Sequence, residues 1–279
     1  MCRQRNDSPL RTGVRRLQRA TPSCRRTERT ARPWARPAPR RAKNPSVQIA
    51  LSLDALPLIR LLQLASPALP VGAFSYSQGL EWAVESGRIS DEAGAGQWIG
   101  DLLSGAIGRF EAPLLFCLMS AWSTNDAAEI FRLNADFLAS REGAELRAET
   151  LQMGFSLNRL LADLRDPTLS GVQATLTSLP EISFPVAWTG IAAAWNIDAQ
   201  AACAAYLWSW AENQVMAALK AVPLGQAAGQ RLLAELGSKI PAVVRGAQNL
   251  PPAAWSNFTP AYAICNVRHE TQYSRLFRS

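Results

Sequence analysis

Apolar residues after about position 50 recur every three or four positions, which is the spacing of one buried helix face. The clearest amphipathic helix is predicted over residues 142–163, where the large apolar side chains share a face: Leu146, Met153, Leu157, Leu160 and Leu161. Further helices are predicted over residues 53–64, 181–195, 199–219, 223–235 and 237–247. Another begins at Ser90 and includes Trp98, Ile99, Leu102, Leu103 and Ile107. Pro113 should break or kink that helix before Leu114–Trp122 continues it.

The helix predicted over residues 199–219 is apolar on every side, so it should lie centrally among its neighbours. No sustained alternation of β-branched and polar residues indicates a strand. The sequence therefore predicts an all-α fold, a single-domain helical bundle of roughly eight to ten helices over residues 47–279.

A loop is predicted between the first two helices, because Pro67 and Pro70 disfavour helix and Gly72 permits a turn. Ser75 or Ser77 is a candidate cap for the helix that follows. The loop also contains Phe74 and Tyr76, which makes it too apolar for an ordinary solvated connection. It is interpreted either as a buried connection between helices or as a functional loop.

Polar residues of the helix over 142–163 form a stripe at spacings of three and four: Glu145, Glu149, Gln152, Ser156, Arg159 and Asp163. The stripe is interpreted as a solvated face, with a partner-facing ridge as the alternative. Two pairs of carboxylates occur in the sequence. Glu145 and Glu149 lie on this stripe, and Asp91 and Glu92 are expected at a helix N-terminus. Neither pair is expected to be catalytic.

The positive charge of the chain is concentrated at its start. Residues 1–46 carry a net charge of +12, and since the whole chain carries +7, the remainder carries −5. This segment is rich in Arg and Pro and poor in aliphatic residues, so a disordered basic extension is predicted. It could bind nucleic acid or an acidic membrane surface, or serve as an organelle transit peptide. The preferred interpretation is translated upstream sequence from a mis-assigned start.

The residues that most enzymes use are scarce. His269 is the single histidine, and no phosphate-binding loop of the Gly-x-x-x-x-Gly-Lys type occurs. The five cysteines are scattered without a Cys-x-x-Cys pair, which indicates reduced thiols and a cytoplasmic protein. Neither a transmembrane span nor a secretory signal is predicted. We therefore expect a protein that is not an enzyme and binds no cofactor tightly, with His269 as the one weak candidate for a metal ligand.

Four stretches resemble one protein family. Residues 66–82 read SPALPVGAFSYSQGLEW, and residues 269–279 read HETQYSRLFRS. Between them lie QMGFS at 152–156 and AVPLGQAAGQRLL at 221–233. All four are similar to segments of the UreF family of nickel-urease accessory proteins, and the resemblance runs from about residue 56 to the end.

The resemblance implies an all-helical, cytoplasmic and dimeric protein. It would join a UreD-like (also called UreH-like) protein and the UreG GTPase to deliver nickel to apo-urease and modulate GTP hydrolysis. The partner-binding positions that it implies are Phe74, Tyr76, Ser77, Glu81, His269, Glu270, Tyr273, Arg275, Leu276 and Phe277. The C-terminal segment is expected to be free in the isolated chain and to order on a partner, which would bury Leu276 and Phe277. The alternative function is nucleic-acid binding through the Arg-rich extension.

A shortened protein that begins near Pro45 should keep the helical content and thermal midpoint of the full chain. The extension contains too few apolar residues to contribute to a core. Circular dichroism of the two forms, with urease activation in parallel, is the measurement. A clear loss of stability or activation would show that residues 1–46 have a structural or functional role.

Overall fold

The protein is described by a computed structural model over residues 55–278, which form helices and connections without a strand. The helices are α1 (Ala55–Leu64), α2 (Leu80–Glu85), α3 (Glu92–Leu102), α4 (Ala112–Ser123), α5 (Ala127–Ala139), α6 (Ala144–Leu164), α7 (Ser170–Ser178), α8 (Phe184–Ala194), α9 (Ala199–Ala221), α10 (Gln226–Gln248) and α11 (Pro260–His269). A π-helical stretch, Leu103–Glu111, joins α3 to α4. The predicted all-α class is confirmed. The basic extension and the first two residues of the helix predicted over 53–64 lie outside the described residues.

Helix α9 occupies the centre of these helices, as its apolar sequence predicts. It packs against α10 most extensively and also contacts α1, α2, α3, α4 and α8. Helix α8 packs on α4 and α6, and its Trp188 is among the largest fully buried side chains. Small residues permit close approach, because a Cβ added at Gly229 of α10 would lie 2.8 Å from Leu219 Cδ1 of α9.

The prediction of two helices over residues 223–235 and 237–247 is wrong, because α10 is continuous from Gln226 to Gln248. Gly237 does not end the helix. It gives room to Trp208 of α9, whose Cζ3 atom would lie 3.2 Å from an added Cβ. Pro241 also lies within α10, so neither residue acts as the helix breaker that its type predicts.

The prediction that Pro113 breaks its helix is also wrong. Pro113 lies in the first turn of α4, and the helical path departs from regular geometry earlier, at Gly105 (φ −91°, ψ −110°). A proline leaves the carbonyl four residues before it without its helical donor. Here that carbonyl belongs to Arg109, and it accepts a hydrogen bond from the Ser256 N–H at 3.1 Å. The connection between α10 and α11 therefore replaces the missing bond.

The run Glu92–Ser123 is long and apolar enough, by composition alone, to cross a membrane. In the described structure 67% of its most apolar window is buried by the surrounding helices. Its apolar character is thus accounted for by its place in the interior of the bundle.

Helices α5, α7 and α11 were not predicted. The signal for α5 is present in the sequence, since Ile130, Leu133 and Phe137 follow helical spacing and are buried. The Asp126 side chain accepts a hydrogen bond from the Glu129 N–H at 3.0 Å and caps this helix. Asp91 caps α3 in the same way through Gly94, as expected for that carboxylate pair.

Replacing Gly154 with alanine should destabilise the protein by about 1–3 kcal/mol or more. Helix α6 passes so close to the α7–α8 connection that an added Cβ would overlap the Ile182 carbonyl. Gly246→Ala in α10 is the matched control, because its added Cβ meets no atom within 4 Å and alanine favours helix. Urea denaturation should separate the two variants. Equal stabilities would contradict the close approach at Gly154.

Candidate functional site

The loop between α1 and α2 has an unusual backbone that positions the start of α2. Gly72, Gln78 and Gly79 all have positive φ, and Ala73–Ser75 form a 3-10 turn. Only glycine fits at position 79, because an added Cβ would lie 2.8 Å from the Asn266 backbone nitrogen of α11. Gly79 is the N-cap of α2, so neither Ser75 nor Ser77 caps the helix as predicted. The Ser77 Oγ atom lies 3.5 Å from the Glu81 nitrogen, at the limit of a hydrogen bond.

Glu81 extends from the first turn of α2 into a buried site at the C-terminal segment. Its Oε1 accepts a hydrogen bond from the Leu276 N–H at 2.6 Å, and its Oε2 accepts one from the Phe277 N–H at 3.0 Å. The Nε2 atom of His269 lies 3.1 Å from the same Oε2. The buried carboxylate therefore holds an irregular stretch of main chain that has no regular secondary structure.

His269 lies between two carboxylates and is 0% exposed. Its Nδ1 atom lies 2.7 Å from Glu145 Oε2 of α6, opposite the contact with Glu81. Ionised carboxylates only accept hydrogen bonds, so both ring nitrogens donate here when the imidazole is protonated. Arg275 Nη1 completes the cluster at 2.6 Å from Glu145 Oε1, which gives two acidic and two basic groups.

We call this arrangement the C-terminal clasp: Glu81, Glu145, His269, Arg275 and the main chain of Leu276 and Phe277. It corrects the expectation of a free C-terminal segment, because His269 is fully buried and the segment is packed on the chain's own helices. The Arg278 N–H also donates to the Ser75 carbonyl at 2.8 Å, which joins the segment to the α1–α2 loop.

Glu270 caps a helix. Its Oε1 accepts hydrogen bonds from the backbone N–H groups of Ala144 at 2.7 Å and Glu145 at 3.4 Å. N–H groups in the first turn of a helix have no acceptor within the helix. The N-cap of α6 is Gly143, which has no side chain that could accept from them. A negative charge is also favourable at this helix end.

Gln78 organises a second network beside the clasp. Its Nε2 donates to Glu149 Oε1 at 2.8 Å, and its Oε1 accepts from Trp210 Nε1 at 2.8 Å and from the Tyr262 hydroxyl at 3.3 Å. Glu149 is buried, and Glu145 belongs to the clasp. The prediction of a solvated face is therefore wrong for these two carboxylates, which begin the polar stripe of α6. The later stripe residues Gln152, Arg159 and Asp163 are exposed as predicted.

The predicted partner-binding residues divide into a buried group and an exposed group. Tyr76, Ser77, Glu81, His269 and Phe277 are buried, whereas Phe74 (67%), Tyr273 (104%) and Leu276 (70%) are exposed. Burial and the nearby Glu149 charge raise the pKa of Tyr76, and Arg278 opposes that shift. Phe277 is buried within this chain rather than against a partner, whereas Leu276 is exposed to solvent.

Some participants were not predicted as site residues. Gln78, Glu145, Glu149 and Tyr262 hold the site together through contacts between helices far apart in sequence. Arg278 adds a contact from the main chain. The spacing of residues along the sequence does not predict such contacts. One indication was available, because Glu145 and Glu149 lie on the same helix as the family-like stretch at 152–156.

Within residues 55–278 no group of three or more His, Cys, Asp or Glu side chains is arranged to hold a metal ion. Both nitrogens of His269 already face carboxylates, so a metal would have to displace one of them. The described cysteines are poor ligands as well, and burial raises the pKa of the Cys203 thiol to about 12. The arrangement is suited to holding and presenting a surface.

Comparison with known proteins gives consistent matches. The UreF family model matches residues 89–237. Urease accessory protein UreF of Dechloromonas aromatica (strain RCB) is 68% identical over 224 residues, which cover 80% of this chain and 98% of that protein. The protein of the same name from Azoarcus sp. (strain BH72) is 66% identical over 225 residues, covering 80% of this chain and 96% of the relative. The protein of the same name from Methylobacillus flagellatus is 53% identical over 223 residues, which cover 80% of this chain and 97% of that relative. The chain thus belongs to the UreF family of urease accessory proteins.

Proposed function

We propose that this protein acts in urease maturation, where it is needed for nickel insertion into apo-urease. It would bridge a UreD-like (UreH-like) protein and the UreG GTPase and modulate GTP hydrolysis by that partner. Membership of a family of urease accessory proteins supports this role. Nickel is cargo in this proposal, and the cytoplasm is the compartment in which we expect the complex to assemble.

One observation carries the proposal. The two stretches that most resemble the family, residues 66–82 and 269–279, are almost two hundred positions apart yet bind each other through the clasp. The buried members fix the main chain, and Tyr273 and Leu276 project from it into solvent. Exposed aromatic and aliphatic side chains on a fixed backbone are suited to protein recognition, because little conformational entropy is lost on binding.

Phe74 belongs to the same presented surface through the α1–α2 loop. It lies next to Ser75, whose carbonyl accepts the hydrogen bond from Arg278. We infer that a partner would contact Phe74, Tyr273 and Leu276 directly, while Glu81, Glu145 and His269 act indirectly by holding the segment. The protein itself would catalyse nothing in this role, and we propose that it works as a homodimer, as the family resemblance implies.

The test is co-expression of the full chain with urease and its other accessory proteins, followed by pull-down and nickel analysis of the urease. The variant Tyr273→Ala with Leu276→Ala should lower both partner recovery and nickel content at least roughly tenfold, as expected for loss of two interface anchors. Because both side chains are exposed, unfolding stability should change by less than about 0.5 kcal/mol.

Phe258→Ala is the matched control. Phe258 is also strongly exposed, but it precedes α11, whose ten residues separate it from His269 by about 15 Å. This variant should retain partner recovery and nickel insertion. Full activation of urease by the Tyr273–Leu276 double variant would show that the presented surface is not the docking site. The alternative, nucleic-acid binding by residues 1–46, concerns residues outside those described and stays a prediction.

A further inference from the structure

A cavity of about 290 Å³ opens on the presented surface. Phe74, which belongs to that surface, lines the cavity together with Met216 of α9, and both side chains are exposed. Most of the remaining wall is apolar. Its other aromatic members are Phe137, Phe184, Trp188, Tyr206 and Trp210. An apolar cavity of about 150 Å³ can hold a benzene molecule, so this space accommodates one aromatic or large aliphatic side chain.

The buried charges in the wall already have partners. Glu111 lies 2.7 Å from Arg141 Nη1 and accepts a hydrogen bond from the Tyr206 hydroxyl at 3.1 Å. Glu149 accepts one from Gln78 Nε2 at 2.8 Å. The interior therefore offers no unpaired buried charge to a ligand, and the burial of an apolar group is the favourable interaction that it can still make.

Two charges on α9 have no partner of opposite charge. Glu212 and Lys220 both line the cavity, and Met216 lies midway between them at intervals of four residues, so all three share one face of the helix. Within residues 55–278 neither side chain forms an ion pair or a hydrogen bond. Lys220 Nζ instead lies 5.4 Å from the centre of the Phe277 ring. The two charged residues are eight positions apart, which places them about 12 Å apart along the helix axis.

Glu212 is the less solvated of these two charges. Its side chain is half-buried, and this burial raises the pKa of the carboxyl group without a nearby cation to oppose the shift. A half-buried carboxylate that lacks a cation gains free energy when a basic group from outside the chain comes to lie beside it.

We propose that the cavity and this face of α9 receive a docking segment of a partner protein, in which an apolar side chain lies between a basic and an acidic one. The apolar side chain enters beside Phe74 and Met216, the basic group pairs with Glu212, and the acidic group pairs with Lys220. The buried side chain supplies affinity, and the opposite charges fix the direction in which the segment lies. This inference rests on the proposed function, because the cavity extends the presented surface, and it adds the chemistry of the partner.

The order of the charges is tested by exchanging them. The double variant Glu212→Lys with Lys220→Glu keeps the net charge but reverses the order, so recovery of the accessory partners in the co-expression pull-down should fall at least roughly tenfold. The matched control is Glu235→Lys with Lys239→Glu, which exchanges an exposed ion pair of α10 outside this cavity. It should recover the partners as the unchanged chain does. Both variants should melt within about 4 °C of that chain, because the exchanged side chains lie at or near the surface.

The cavity itself is tested by filling it. Ser209 lines it from α9, so the ring of Ser209→Phe would occupy the space for the apolar side chain and lower partner recovery at least roughly tenfold. Should this variant fail to fold, Ala73→Phe fills the space from the α1–α2 loop. Light scattering after size-exclusion chromatography measures whether each variant keeps the oligomeric state of the unchanged chain.

Three results would each overturn the inference. Full partner recovery by the exchange variant of α9 or by a folded variant with a filled cavity would show that no segment docks there. Equal loss in the two exchange variants would show that recovery does not depend on the charges of α9. A change of oligomeric state would assign the cavity to a second copy of this chain. The proposed function fails by a different result, in which the unchanged chain recovers no partner, and its docking residues are tested separately by Tyr273→Ala with Leu276→Ala.

Discussion

Replacing Glu81 with alanine should lower the free energy of unfolding by about 2–5 kcal/mol, because the groups that pair with its buried carboxylate would be left without a partner, at about 1–3 kcal/mol each. The Glu81 carboxylate accepts from His269 and from the N–H groups of Leu276 and Phe277. Without it, the fully buried His269 keeps its contact with Glu145 but loses the one at Nε2. Urea denaturation at a fixed pH near 7 measures the difference.

Glu85→Ala is the matched control, because Glu85 lies in the same helix and is exposed. It should change stability by less than about 0.5 kcal/mol. The double variant Glu81→Ala with His269→Ala should cost less than the sum of its single variants, since each removes the same interaction. If Glu81→Ala and Glu85→Ala unfold at the same urea concentration, the clasp does not stabilise the fold.

Deleting residues 270–279 should both destabilise the protein and prevent nickel insertion into urease. The deletion removes the Glu270 cap of α6, the two N–H donors to Glu81 and the buried ring of Phe277. Together these losses should exceed about 3 kcal/mol, which lowers Tm by roughly 6–12 °C for a domain of this size. The sequence alone led to the opposite expectation for folding, that of a free segment.

Thermal melting by circular dichroism and the nickel content of co-expressed urease are the two measurements. The variant Tyr273→Ala with Leu276→Ala serves as the comparison, because it should lose nickel insertion while keeping its melting temperature. A deletion variant that melts like the full chain would show that the segment contributes nothing to the fold. A deletion variant that melts at a lower temperature but still activates urease would show that the segment is not part of the docking surface.

The spacing of apolar residues was sufficient to predict most of the helices. Helices α6 and α9 could be predicted because their apolar residues follow helical spacing over five or more turns. The errors occurred where a tertiary contact overrides a local rule. Pro113 is tolerated because Ser256 donates to Arg109, and Gly237 continues α10 beneath Trp208.

The sequence identified several residues of the site but not how they contact one another. The resemblance drew attention to Glu81, His269 and Arg275, and these residues meet in the structure. Their connection through Glu145 could not be predicted, because a carboxylate on a polar stripe is equally compatible with solvent and with a buried partner side chain. Only the folded chain shows that the C-terminal segment covers the beginning of that stripe.

The hydrogen bond from Ser256 to Arg109 has a consequence for amide hydrogen exchange. Ser256 belongs to a connection without regular secondary structure, where amides ordinarily exchange within seconds to minutes. Its N–H instead donates to a carbonyl of the π-helical stretch between α3 and α4, so exchange requires that the connection separate from that stretch. A slow Ser256 amide would therefore report how often α11, and with it His269, moves away from the rest of the bundle.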